Sequence, residues 1–432
     1  MGAELMTYPA FAVPARIVRA GERSPHLRSF IVVCWLLSEV CLNSPGHPAF
    51  NFGSIDMLAV SKGVARALAL AVFCWIVLRT HTQARVMSVL VRCTPLMLFG
   101  LWTLATCIWS PIKSISLGHA TEAFMLGLLS IATGIVYRSE LDLEQILRQM
   151  VLIITVLMVI LLALNVEEIK AGLRPMNFMQ PNNLAGVAAI GLLTLLLSRL
   201  LWNWRWTHTL MWPSGLICGA AIFIAQSRSC LIVTSIIALP VLWAMYKKHL
   251  VPFGLVVAGF VAAFLPYSAS ISKAPETVMS YIMRGQSAED AYTVSGRTEV
   301  WDIAFKSFSE SPLFGHGYYS MTSTGTMYVW GAERWQTAHN IYLHVLTGTG
   351  LMGYALLIWA LLYVLQPAWI YVRRTGPERK LAVFILLLVA WYLCLGCFEL
   401  SFAGPVDPEV VLFFIVLGLS AGLGAHARTR TT

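Results

Sequence analysis

The chain has 432 residues, of which 58% are hydrophobic and only 12% are charged. Soluble proteins carry about a quarter charged residues, so this composition excludes an ordinary soluble protein, and the mean hydropathy of +0.71 agrees. A net charge of +9 would indicate a nucleic-acid partner in a soluble chain. Here the basic residues lie in alternate short connections between apolar runs, so we interpret the charge as a signal of membrane orientation and expect no nucleic-acid partner.

Apolar runs long enough to cross a bilayer recur along the whole chain. Twelve spans are predicted, over residues 29–43, 57–78, 93–111, 115–137, 146–165, 183–201, 209–226, 229–246, 251–269, 340–365, 381–401 and 409–426. Because Lys and Arg in short loops stay cytoplasmic, their alternation predicts cytoplasmic N and C termini. The fold class is therefore predicted to be an all-α polytopic membrane protein, with residues 1–432 forming a single membrane domain. The first span is interpreted as uncleaved, since no signal-peptidase site follows it.

One long polar interval, residues 270–338, separates spans nine and ten and is predicted to be a periplasmic loop. Aromatic residues recur in it at helical spacing, which predicts a short amphipathic helix on the membrane surface. Its apolar face is expected to be formed by Trp301, Phe305 and Phe308. Pro312 and the glycines after it predict the end of this helix. The aromatic stretch 318–336 is equally consistent with a flexible lid and with an ordinary loop.

Three arginines on the predicted outer side are candidates for binding an anion, because a guanidinium group offers a fork of donors that fits diphosphate oxygens. Arg228 lies in the very short connection between spans seven and eight, and Arg297 follows Gly296 where the loop helix begins. Arg174 precedes the Pro181-Asn182 pair before span six. The alternatives are an arginine extending to the membrane surface for Arg228, a solvated arginine for Arg297 and a helix-capping role for Asn182.

His339 precedes Asn340 where span ten begins. A histidine in this position is suited to act as a general base near neutral pH, and the alternative is a packed interfacial residue. Five further ionisable residues lie within predicted spans: Glu39, Lys62, Arg66, Glu122 and Glu399. Their scatter favours pairing between helices, and the alternative is a path for protons. Cys394 and Cys397 form a C-x-x-C pair without a second pair, which favours core packing and predicts no zinc site.

Four elements occur in a fixed order along the chain: Arg174 with Pro181-Asn182, Ser227-Arg228, Gly296-Arg297 with Trp301, and His339-Asn340. In this order, over about residues 170–355, the chain resembles the O-antigen ligase and O-antigen and exopolysaccharide polymerase superfamily of bacterial membrane glycosyltransferases. The resemblance implies an inverting glycosyltransferase of the inner membrane that needs no metal and no cofactor.

In the reaction that this resemblance implies, a glycan passes from undecaprenyl diphosphate to an acceptor hydroxyl at the periplasmic face, during surface polysaccharide assembly. The acceptor is either another glycan, as in a polymerase, or the lipid A core, as in a ligase. His339, Arg228 and Arg297 become the candidate catalytic residues, and Arg174 joins the two arginines in holding the diphosphate. Gly296, Trp301 and Asn340 are expected to contact the acceptor or support the loop.

A transporter or flippase for an anionic lipid is the alternative function, since it would also use arginines and about twelve spans. Transporters of this kind favour charges near the midplane and an internal repeat. Neither feature is evident in the sequence, so the transferase is the preferred interpretation.

Overall fold

A computed structural model describes residues 24–39, 57–80, 84–171, 173, 175, 178–246, 297–320, 338–402 and 406–430. These residues contain thirteen helices and no strand. The helices are α1 Leu27–Glu39, α2 Met57–Thr80, α3 Ala84–Thr106, α4 Lys113–Val136, α5 Glu140–Leu164, α6 Val166–Lys170, α7 Pro181–Leu201, α8 Arg205–Ile224, α9 Arg228–Tyr246, α10 Arg297–Glu310, α11 Ile341–Tyr371, α12 Pro377–Gly396 and α13 Pro408–Arg430.

In this part of the chain, ten helices are long and apolar enough to cross a membrane, namely α2–α5, α7–α9 and α11–α13. A shorter apolar helix, α1, matches the first predicted span. The predicted all-α polytopic membrane fold is confirmed. The predicted ninth span, residues 251–269, lies outside the described residues, so the total of twelve spans stays a prediction.

Helix α13 forms the centre of the bundle, and its membrane-spanning part is buried along its whole length. It packs against α3, α4, α11 and α12. Close approach to α4 depends on Gly418, where an added Cβ would lie 2.4 Å from the carbonyl oxygen of Ser130. The Ser130 hydroxyl also donates to the carbonyl of Phe414 over 2.8 Å. Small residues and hydroxyl groups at such contacts are typical of membrane helix packing.

Several helix ends meet at one end of the bundle. Helix α9 packs against α7 and α12. Because α8 returns the chain between them, α7 and α9 begin at the same end of the bundle. Helix α12 finishes at that end. Helix α10 packs against α11 close to the beginning of both. This end therefore gathers every predicted site residue that the structure describes.

The amphipathic helix in the loop is present as α10, but its predicted apolar face is wrong for Phe305. That side chain is 54% exposed, and the buried residues are Val300, Ala304 and Ser307. These smaller side chains recur every three to four residues and let α10 lie close to Leu343 of α11. The aromatic residues therefore flank the contact or face outward.

Two further predictions need correction. Tyr318 and Tyr319 are 2% and 5% exposed, so the segment 318–320 packs into the core and does not form part of a lid; residues 321–337 lie outside the described residues. Cys394 and Cys397 are exposed, so core packing is wrong for this pair. Helix α12 instead turns Trp391 and its neighbours toward the bundle.

Candidate functional site

The carboxylate of Glu399 is the centre of the candidate site, immediately after α12. Its Oε1 accepts hydrogen bonds from Nη2 of Arg297 at 2.7 Å and from Nδ2 of Asn182 at 2.8 Å. Its Oε2 lies 3.0 Å from Nδ1 of His339. The Glu399 side chain is only 9% exposed. Both of its oxygens therefore have partners, as a buried carboxylate requires.

Each partner of Glu399 comes from the beginning of a different helix. Arg297 is the first residue of α10, Asn182 lies in the first turn of α7, and His339 comes two residues before α11. Arg297 makes a second bond, from Nη1 to the carbonyl oxygen of Phe398 at 2.6 Å. Removing one member of such a buried pair typically destabilises a protein by about 3–5 kcal/mol, because a buried charge is left unpaired.

His339 is held by its backbone as well as by its ring. Its φ of 44° places it in the left-handed region, which non-glycine residues adopt only when their surroundings hold them there. Asn340 then caps α11, with Oδ1 accepting from the N–H groups of Tyr342 and Leu343 at 3.0 and 3.1 Å. When Nδ1 of a neutral imidazole donates to a carboxylate, Nε2 carries the lone pair and can accept a proton.

Trp301 supports the same loop. It follows Arg297 by one helical turn on α10, and its indole N–H donates to the carbonyl oxygen of Ala338 at 2.8 Å. Arg297 and Trp301 therefore share one face of α10. Arg297 binds Glu399, and Trp301 binds Ala338, the residue before His339. Trp301 therefore contacts the loop and not Glu399 itself.

The other end of α10 is attached to a break in α11. The N–H of Gly317 donates to the carbonyl of Gly348 over 2.9 Å, and the N–H of Leu351 donates to the carbonyl of Pro312 over 2.8 Å. Gly350 has a φ of 67°, and an added Cβ there would lie 2.3 Å from the carbonyl oxygen of Leu313. The turn after α10 thus supplies partners for backbone groups that the broken helix leaves unpaired.

The remaining predicted site residues differ in how far the structure describes them. Arg174 and Gly296 lie outside the described residues. Arg228, predicted in the connection between spans seven and eight, is the first residue of α9 and is half-buried at the same end of the bundle. Asn182 does not cap α7, because Gln180 holds the capping position without a side-chain bond, and the Asn182 amide instead binds Glu399.

A second acidic residue lies at the beginning of α13. Asp407 is buried, and its Oδ1 accepts from the backbone N–H of Val410 at 2.9 Å, which caps the helix. Burial raises the pKa of Asp407 to about 7, although hydrogen bonds from backbone N–H groups lower it. This carboxyl group is thus easier to protonate than an ordinary aspartate.

Residues 213–358 match the family model described as O-antigen ligase. The resemblance to the O-antigen ligase family is confirmed. An O-antigen ligase of Pseudomonas aeruginosa is 28% identical over 188 residues, which cover 41% of this chain and 40% of that relative. The chain thus matches about two fifths of the length of this relative.

The O-antigen ligase match covers Arg228, Arg297 and His339 but neither Asn182 nor Glu399. Sequence reasoning also missed a site role for Glu399, which we expected to pair helices. Its partner Asn182 lies 217 positions away, and no local pattern connects the two residues. The only signal available was a lone acidic residue within a predicted span, which is typical of functional sites in membrane proteins.

Proposed function

We propose that the protein transfers a glycan from undecaprenyl diphosphate to an acceptor hydroxyl at the periplasmic face of the inner membrane, in surface polysaccharide assembly. The observation that carries this proposal is the carboxylate of Glu399, whose two oxygens hold a guanidinium and an imidazole. One group suits a diphosphate and the other suits the removal of a proton. A transferase that uses a lipid diphosphate needs both groups in one site.

His339 acts as the general base in this proposal. Its Nε2 takes the proton of the acceptor hydroxyl as the acceptor oxygen bonds to the anomeric carbon. Glu399, on Nδ1, fixes the orientation of the ring and stabilises the imidazolium that forms. A positioned base contributes on the order of a hundredfold to ten-thousandfold in rate.

The arginines act on the leaving group. As the bond from the anomeric carbon to the phosphate oxygen breaks, undecaprenyl diphosphate leaves with the electron pair, and guanidinium groups offset the developing charge. Arg297 uses two donors on Phe398 and Glu399, and a guanidinium has five. We assign Arg228 and Arg174 to the same diphosphate. A single displacement of this kind inverts the anomeric centre and uses no metal.

Transfer is tested with purified protein, an undecaprenyl-diphosphate glycan and acceptor in detergent that contains EDTA. We expect a product with inverted anomeric configuration by NMR, at the same rate with and without the chelator. A strict metal requirement or a retained configuration contradicts the mechanism. Movement of the lipid-linked glycan across vesicles without any new glycosidic bond would instead support the flippase.

The proposed orientation puts residues 270–338 outside and both termini in the cytoplasm. Single cysteines at positions 326 and 374, in a background without the native cysteines, test this with a thiol reagent that does not cross membranes. We expect labelling from outside at position 326 alone. Labelling at 374 alone would reverse the orientation and remove the site from the periplasmic face.

A further inference from the structure

A second Arg–Glu–His cluster lies at the same end of the bundle. Glu122 of α4 is 4% exposed, its Oε1 lies 2.6 Å from Nη2 of Arg66 on α2, and its Oε2 lies 2.8 Å from Nδ1 of His119. The His119 ring packs on Tyr319, with centroids 3.7 Å apart. Because Tyr319 follows the turn after α10, this cluster lies on the side of the bundle that carries the Glu399 site.

The cluster lies within helices that are long and apolar enough to cross a membrane. His119 is six residues into α4, which corresponds to a depth of about 9 Å at 1.5 Å per residue. Arg66 is one-third exposed, and Lys62 precedes it by one turn on the same helix. Basic residues at the outer end of a span run against the usual inside bias. An arginine at such a depth is typically retained for function and extends toward phosphate groups of lipids.

Apolar side chains pack tightly beside this cluster, with His119 and Tyr318 at the polar edge of the contact. These side chains come from α3, α4, α11 and α13 and include Leu96, Phe99, Leu126, Leu357, Phe413 and Leu417. The space left between them is about 10 Å³, which is no more than one water molecule needs, so this contact shields one side of the cluster from water.

We propose that Arg66 and His119 bind a phosphate of the acceptor lipid. Glu122 is a positioning residue that holds both groups, and a guanidinium paired at one N–H keeps others for phosphate oxygens. This inference rests on the proposed function, since transfer between two lipid-borne substrates requires two lipid sites. It holds for ligation and for polymerisation, because the lipid A core and a second polyprenyl-linked glycan both carry phosphate.

Native mass spectrometry of the intact protein tests the site with four probes: diphosphoryl lipid A, its dephosphorylated form, undecaprenyl phosphate and phosphatidylglycerol. We expect the parent to retain diphosphoryl lipid A at least tenfold better than the dephosphorylated form. Arg66→Gln combined with Glu122→Gln leaves no unpaired charge and should abolish the preference. His119→Gln is a second, independent variant, and Arg79→Gln, at the other end of α2, is the control that should retain it.

The outcomes separate the possible sources of the phosphate. Retention of undecaprenyl phosphate with the same dependence on Arg66 supports the site and assigns a polymerase-type acceptor. Equal retention of phosphatidylglycerol, or unchanged binding in both variants, overturns the proposal.

Kinetics give a second readout. In the double variant the KM for the acceptor should rise about tenfold while the KM for the donor stays constant, and a change in the donor KM alone contradicts the assignment. Lipid binding does not require transfer. A protein that binds lipid A through Arg66 but transfers nothing would therefore contradict the proposed function and not this site.

Discussion

Two clusters of the same chemical composition differ in how the chain builds them. In one, His119 and Glu122 are three residues apart on α4 and only Arg66 comes from another helix. In the other, Glu399 binds Arg297 and His339, which lie at the beginnings of separate helices. The side-chain amide of Asn182 also binds Glu399, and Arg297 also binds the backbone carbonyl of Phe398. A helix gives the first cluster a regular frame within the membrane. The second depends on loops and helix caps at the end of the bundle.

The comparison teaches that similar ionic groups can serve different tasks according to depth and surroundings. The triad on α2 and α4, with its partly exposed arginine, suits the binding of a lipid phosphate. The triad at the bundle end, with its histidine in a strained backbone conformation, suits chemistry. Substitutions that separate these tasks are therefore the most informative.

The largest effect is expected from Arg297→Ala, which removes the donor to diphosphate and leaves Glu399 partly unpaired. Transfer should fall at least a thousandfold while the protein still inserts in the membrane. Arg297→Lys should recover little activity because an ammonium lacks the bidentate fork. Arg205→Ala is the matched control, since Arg205 also begins a helix but at the opposite end of the bundle. Near-normal product from Arg297→Ala would show that this arginine is structural.

Glu399→Gln and Glu122→Gln compare the two carboxylates directly. Glu399→Gln keeps the size of the side chain but cannot stabilise an imidazolium, so kcat should fall about a hundredfold or more. Glu122→Gln should change kcat less than threefold and act on the KM for the acceptor. Steady-state kinetics on both purified variants provide the test. An equal loss of kcat in the two would remove the proposed division between chemistry and anchoring.

These two carboxylates also show what the sequence could and could not predict. Hydropathy and the basic residues of short loops predict the spans, because burial in lipid constrains every residue of a crossing helix. Arg297 was identified because it begins a helix in the long polar interval, and His339 because it precedes Asn340 where span ten begins. Glu399 and Asn182 come into contact only because α7 and α12 pack together. The contact could not be predicted from their positions in the sequence, which are 217 residues apart.

A third prediction concerns the turn that attaches α10 to α11. Gly350→Ala places a Cβ in a left-handed residue and against the carbonyl of Leu313, so the loss of stability should exceed about 1–2 kcal/mol. The midpoint of thermal unfolding should fall, and activity should fall with it as Arg297 and His339 lose their alignment. Gly219→Ala in α8 is the control, because no atom lies within 4 Å of its added Cβ. Equal behaviour of the two variants would show that this attachment is not required.

The smallest expected effect concerns pH. The pKa of Asp407 is raised to about 7 in the folded protein, against about 3.9 in an unfolded chain. The folded state therefore binds the proton more tightly, and this stabilisation is present below about pH 4 and lost as the pH rises through 7.

Asp407→Asn tests this pH dependence. Asparagine can still cap α13 through its Oδ1, so the variant should unfold a few degrees above the parent at pH 8 and show a smaller difference at pH 5. Identical pH dependence of the unfolding midpoint in the two proteins would contradict the account of Asp407.

The central claim is that Glu399 joins a base for the acceptor to an arginine for the donor. The most direct test measures the affinity for the undecaprenyl-diphosphate donor and the single-turnover rate separately, on purified His339→Ala in detergent, with the exposed His208→Ala as control. We predict donor affinity within about twofold of the parent and a rate reduced by a hundredfold to ten-thousandfold. Loss of donor binding with residual chemistry would place His339 in the diphosphate site and contradict the account.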